Sequence, residues 1–113
     1  MFVDQYSWLK YLYFMKTVSS EETIQAKTAF EVYAAQHGVR VKHYHCDNGR
    51  FADKAFVASC EENSQSVSYC TVNAHFQNGV AEKAIRETQD LARTMILHAI
   101  TRWYDAVHLS LWP

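Results

Sequence analysis

From Asn73 to Arg93 the chain reads NAHFQNGVAEKAIRETQDLAR, a turn dipeptide running straight into a long segment of helical period. No other stretch limits the fold as much. Asn78-Gly79 breaks whatever element precedes it, and from Val80 onward Val80, Ala84, Leu91, Met95 and Ala99 recur at helical spacing. Glu82, Arg86, Gln89 and Arg93 occupy the opposite face, the last three within about 40° of Glu82 at roughly 100° per residue. Two readings of that face stay open. In one it is a solvated stripe in which Glu82 and Arg86 form an i,i+4 pair of about 0.2–0.5 kcal/mol. In the other, a carboxylate at the helix start, followed by two guanidiniums, forms a working surface.

Taken in order, residues 2–4 and 8–16 read as a hairpin, its second strand dense in the strand formers Trp8, Tyr11, Tyr13 and Phe14. Ser19-Ser20-Glu21-Glu22 spells a capping box, with Ser19 as cap and Glu22 reaching back. It opens a helix over residues 20–37 that Gly38 ends, with Phe30, Tyr33, Ala34 and His37 inward. Residues 39–46 form a strand in which Val39, Val41, His43 and His45 face one way and Arg40, Lys42, Tyr44 and Cys46 the other. That strand delivers Asp47 at its end. A helix over 51–62, with Phe51, Ala55, Phe56 and Cys60 inward, and a strand over 66–72 follow. The order is β-β-α-β-α-β-α-α, an α/β arrangement with parallel pairing after the hairpin and helices covering a sheet.

Length and charge narrow the partners. A chain of 113 residues makes one domain at most, and 49% hydrophobic residues with 14% aromatics supply a core rather than a disordered segment. No apolar run approaches the roughly 20 residues of a membrane span, and the start carries no leader pattern, which implies an intracellular setting without a membrane partner. Cys46, Cys60 and Cys70 are odd in number and widely spaced, as reduced interior thiols are. With 11 basic and 12 acidic residues the net charge is −1, so any contact with DNA phosphates must be local. Lys83, Arg86 and Arg93 form the obvious cluster, with Lys42 and Arg50 as additions. His43 and His45 share one strand face while Cys46 points to the other, so these three do not make a zinc set, which also needs a fourth ligand.

Asp47-Asn48-Gly49 is a turn signal in its own right. Beyond that, QNGVAEKAIR resembles the last motif of integrase catalytic domains from copia-type retrotransposons, in which NG-x-x-E opens the helix bearing the final catalytic glutamate. HYHCDNGRF is similar to the family's strand ending in Asp-Asn-Gly, and FVDQYSWLKYLYFMK to its VDDYSR hairpin followed by an aromatic strand. The three occur in the family's order, and WYDAVHLSLWP resembles the start of the helix after the glutamate helix. The resemblance therefore runs over essentially the whole chain.

This likeness implies a ribonuclease H-like three-layer fold and a catalytic core for metal-dependent DNA 3′-end processing and strand transfer. Its two Mg²⁺ (or Mn²⁺) ions would be held by two aspartates and a glutamate. Asp47 and Glu82 match two of those acids by motif. Asn78, Lys83, Arg86 and Arg93 would bind DNA, while Asn48, Gly49 and Gly79 shape the turns that position the acids. Implied partners are retroelement cDNA ends and target DNA, with a homo-oligomer in the full-length protein. The implied location is the nucleus or a cytoplasmic virus-like particle. Positions 48 to 81 leave 34 residues between the acids, one fewer than the family pattern, and DNGGEF is shortened to DNGRF; one deletion in the turn explains both. Asp4 falls in the hairpin motif rather than the first catalytic strand. The expectation is thus a truncated domain, lacking the central first strand and the end of the last helix and inactive alone. Two other readings are a non-catalytic nucleic-acid-binding or interaction remnant of such a domain, and an unrelated α/β domain.

Overall fold

The computed structural model describes residues 1–71 and 78–111. It is a mixed α/β chain in the order β1 (Phe2–Val3), β2 (Lys10–Tyr11), α1 (Ser20–Gln36), β3 (His43–Cys46), α2 (Lys54–Glu62), β4 (Ser66–Tyr69) and α3 (Gly79–Arg102). Short 3₁₀ turns stand at Arg50–Ala52 and Leu109–Leu111. The chain divides into two compact units, Met1–Ala81 and Glu82–Pro113.

Helix α1 begins as its sequence dictates. Ser19 is extended and its side chain accepts from the Glu22 amide. The return arm differs from the expected box, because the Glu22 carboxylate accepts from the Thr17 amide at 3.1 Å. Gly38 takes φ +73, a left-handed stop that glycine adopts without steric cost. Truncating the cap by Ser19→Ala is expected to cost about 1 kcal/mol; an unchanged urea midpoint would show that the Ser19 bond contributes nothing.

The inward face of α1 carries Phe30 and Ala34 as expected, but also Thr23, Ala26 and Lys27. His37 is exposed instead of inward. It caps the helix end, its ring lies 4.6 Å from that of Tyr33, and its Nδ1 meets the Tyr33 carbonyl at 2.9 Å.

The hairpin exists but is short: Phe2 pairs with Tyr11 and Val3 with Lys10. The strand expected through residue 16 ends at Tyr11, because β1 offers only two residues to pair with and a lone strand leaves its backbone groups without partners. Phe14 is left 89% exposed. Trp8, expected in that strand, sits in the connecting turn at φ 61.

Strands β3 and β4 pair in parallel over four residues, His43 to Ser66 through Cys46 to Tyr69. The expected starts near 39 and ends near 72 are trimmed to this length; Val72 falls outside the described residues. Along β3 the alternation holds, with Tyr44 and Cys46 buried and both histidines exposed. Among the described residues the hairpin and the parallel pair are two separate two-stranded sheets. The core joins them through aromatic rings. Phe2 stacks on Phe30 at 4.7 Å between centroids, and Phe56, 1% exposed, meets Tyr44 and Phe51 edge-on at 5.8 and 5.2 Å.

Two further expectations shift in phase. The helix after Asp47 is broken by the Asp53 cap, whose carboxylate accepts from Ala55 N. This restart turns Ala55 outward while Phe56 and Cys60 stay buried. In α3 Ala84 is buried, but Leu91 and Met95, on the face expected to pack, are 62% and 63% exposed. The last helix is represented among the described residues by the 3₁₀ turn at Leu109–Leu111. No helix of the described residues is long and apolar enough to cross a membrane.

Candidate functional site

Asp47 follows β3 directly, at the carboxyl end of a parallel strand pair. That edge is where α/β sheets commonly place ligand-binding groups. Its carboxylate is exposed. The turn that carries it is fastened to β4 at several points. Cys70 N donates to the Cys46 carbonyl at 2.9 Å, extending the ladder, and Asn48 Nδ2 donates to the Cys70 carbonyl at 2.7 Å. Tyr69 Oη donates to the Phe51 carbonyl at 2.6 Å. Asn48 is therefore a positioning residue. Gly49 works differently from a turn glycine of left-handed backbone: a Cβ there would stand 3.4 Å from Asp47 Oδ1, so glycine keeps the flank of the carboxylate open. Arg50 begins the 3₁₀ turn that follows.

Glu82 lies in the first turn of α3 and is exposed. Asn78 directly precedes the helix. Gly79 is its first residue, and a Cβ there would meet nothing within 4 Å, so neither space nor left-handed backbone demands glycine at this position. Arg86, Gln89 and Arg93 share the exposed face with Glu82. Among the described residues Glu82 and Arg86 form no ion pair; the pair on this segment is Lys83 with Glu87 at 3.8 Å, both exposed. Lys83 thus has an acidic neighbour, whereas Arg86 and Arg93 present their charge to solvent. Lys42 is exposed just before β3. Asp47 belongs to one unit and Glu82 opens the other.

Asp4 has a structural task. Its carboxylate accepts from the backbone and side chain of Ser7, closing the hairpin turn. These bonds, the side-chain one foremost, hold its carboxyl below the ordinary carboxylate range. Among the described residues no three His, Cys, Asp or Glu side chains gather into a metal-binding group. Asp47 and Glu82 are hard oxygen donors of the kind Mg²⁺ and Mn²⁺ select, and the open flank at Gly49 suits a hydrated cation at Asp47.

Two arrangements escaped the sequence. Glu31 Oε1 accepts from Lys27 Nζ at 2.9 Å, Tyr44 Oη at 2.8 Å and Gln65 Nε2 at 2.7 Å, uniting α1, β3 and the start of β4. On the outer face of the parallel pair, His43 and His45 interleave with Ser66 and Ser68. The i,i+4 spacing of Lys27 and Glu31 was a readable signal for the first; nothing in the sequence announced that Lys27 is buried. In comparisons with known proteins, the chain matches no family model, no curated protein and no solved structure.

Proposed function

We propose that this chain forms part of an integrase-type catalytic core, acting in metal-dependent DNA 3′-end processing and strand transfer, with Asp47 and Glu82 as two of its three metal-binding carboxylates. The observation that carries this reading is the Asp47 turn. An exposed carboxylate sits at the carboxyl end of a parallel strand, its turn pinned to β4, with a glycine keeping its flank clear. Glu82, in the first turn of a 24-residue helix opened by Asn-Gly, supports it from the second motif.

A ribonuclease H-like three-layer arrangement accords with the hairpin and the parallel pair being separate sheets. Asp47 and Glu82 would serve as hard oxygen ligands for divalent ions, which would supply activation of the attacking oxygen and charge stabilisation of the leaving one. The chain's own contribution is to hold hard oxygen ligands and, through Lys83, Arg86 and Arg93, to position phosphates without reading sequence.

The test is Mn²⁺ titration followed by amide NMR. A shared ion requires the signals of residues 47–49 and 80–83 to broaden together at the same Mn²⁺ concentration. Broadening of one group alone defeats the pairing. DNA binding that ignores Mn²⁺ altogether would favour the non-catalytic nucleic-acid-binding reading.

A further inference from the structure

Helices α1 and α2 end at the same place and in the same way. Where α1 stops, Gly38 N donates to the Ala35 carbonyl and Val39 N to the Ala34 carbonyl; where α2 stops, Ser64 N donates to the Glu61 carbonyl and Gln65 N to the Cys60 carbonyl. Both are Schellman closures, each turning on a left-handed residue, Gly38 at φ 73 and Ser64 at φ 56. Such a closure commonly folds its last apolar residue back onto the helix. Val39 is instead 56% exposed and, with Ala35 and Val41, makes the apolar wall of a cavity of about 340 Å³ between the two helix ends, a volume suited to a small molecule. All of it lies within the Met1–Ala81 unit.

The remaining wall accepts hydrogen bonds. Glu31 Oε1 takes three, from Lys27 on the buried side and from Tyr44 and Gln65. The Glu31 side chain is still 23% exposed and lines the cavity, and among the described residues no donor reaches its Oε2. Burial by itself would raise its carboxyl, but these bonds keep it ionised. Gln65 commits its amide nitrogen to Glu31 Oε1 and the Val41 carbonyl, so its own Oε1 is buried without a donor. Asn63 Nδ2 donates to the Ser59 carbonyl, which leaves Oδ1 as a further acceptor at the rim. Neither helix carries a basic residue in its last turn, so the negative ends of two helix dipoles converge there uncompensated. Arg40, the cation among the lining residues, is exposed, where solvent screens it.

We propose that this cavity is a binding site for a primary alkylammonium ion, its N–H donors turned to Glu31 Oε2 and the acceptor wall and its alkyl stem laid on Val39 and Val41. The two walls together select this class. A neutral alkyl group would cover the apolar side and leave the acceptors unmet, and an anion would face both negative helix ends. A hard metal ion takes six or more oxygen ligands and has no use for the apolar side. The site employs none of the residues assigned to DNA chemistry and does not depend on that reading.

The experiment titrates the full chain with n-butylammonium chloride at neutral pH and follows the backbone amides by NMR. Saturable shifts confined to residues 35–41 and 63–65 are expected. n-Butanol, which lacks the charge, and tetramethylammonium, which lacks N–H donors, should leave those signals in place at the same concentration. Ala35 is exposed on α1, so Ala35→Leu keeps a good helix former there while filling the cavity, and should abolish the shifts. Arg40→Gln removes a like charge and should tighten binding about two- to fivefold, the scale of an exposed charge interaction. Tighter binding is not a result that damage to the fold produces. No saturable shift, equal shifts with n-butanol or tetramethylammonium, binding that survives Ala35→Leu, or an Arg40→Gln variant that binds no more tightly overturns the proposal.

Discussion

Replacing Glu31 by alanine is expected to destabilise the folded chain by about 3–5 kcal/mol, the range for stripping the partner from a buried charge. Lys27 is only 1% exposed, and its ammonium lies 2.9 Å from Glu31 Oε1. The same oxygen accepts from Tyr44 and Gln65; the alanine therefore strands the Lys27 cation and the Tyr44 hydroxyl, while Gln65 Nε2 keeps its bond to the Val41 carbonyl. Against a typical stability of about 5–15 kcal/mol this is a large fraction. Lys27→Met should be far milder, about 1–2 kcal/mol. The Glu31 side chain is 23% exposed and keeps its bonds from Tyr44 and Gln65, while methionine fills the space of the lysine stem. Urea denaturation of both variants decides the point: equal losses would mean that the pair acts symmetrically and that burial of Lys27 is not what makes Glu31 necessary.

The pH dependence of the same network has a definite sign. Burial by itself would raise the Glu31 carboxyl, but the bonds from Lys27, Gln65 and Tyr44 and the Lys27 charge outweigh it and hold the carboxyl below its ordinary 4.5. A depressed carboxylate contributes stability that is complete above its unfolded value and is lost as pH falls through its folded value. Acid titration of the wild type should therefore show a loss below pH 4.5 that Glu31→Gln lacks.

The second large effect concerns the two motif acids. Alone, this chain is expected to join no DNA ends with Mg²⁺ or Mn²⁺, because two-metal chemistry needs a further acid to hold the second ion. In a longer protein that supplies this acid, Asp47→Asn or Glu82→Gln should lower strand transfer by at least about 10²–10³, the scale for losing a central electrostatic group. Arg93→Ala should leave the chemistry intact and flatten the salt dependence of DNA binding by about one unit of slope. Activity in the chain as it stands that disappears on Asp4→Asn would make Asp4 the missing acid, against its role in closing the hairpin turn.

What the sequence determined by itself was what short-range bonds determine. Helix α1 starts at a Ser19 cap bonded three residues on and stops at Gly38; the Asp47-Asn48-Gly49 turn follows directly from β3; the alternation of β3 puts Tyr44 and Cys46 on one side and both histidines on the other. The three thiols are buried and free, as their spacing implied. These features are satisfied within a few residues of themselves, so the local string specifies them.

The tertiary structure decided whatever depends on a distant partner. The aromatic run after Tyr11 has strand propensity yet stays unpaired, because β1 is only two residues long. Lys27 is buried because Glu31 meets Tyr44 and Gln65, 13 and 34 residues away, and no helical period encodes that meeting. Leu91 and Met95 lie on the apolar stripe and are still exposed: periodicity states which residues share a face of a helix, but only the rest of the chain can supply something to cover it. Asn48 was legible as a turn residue, but its grip on the Cys70 carbonyl, 22 residues on, existed only once β3 and β4 had paired.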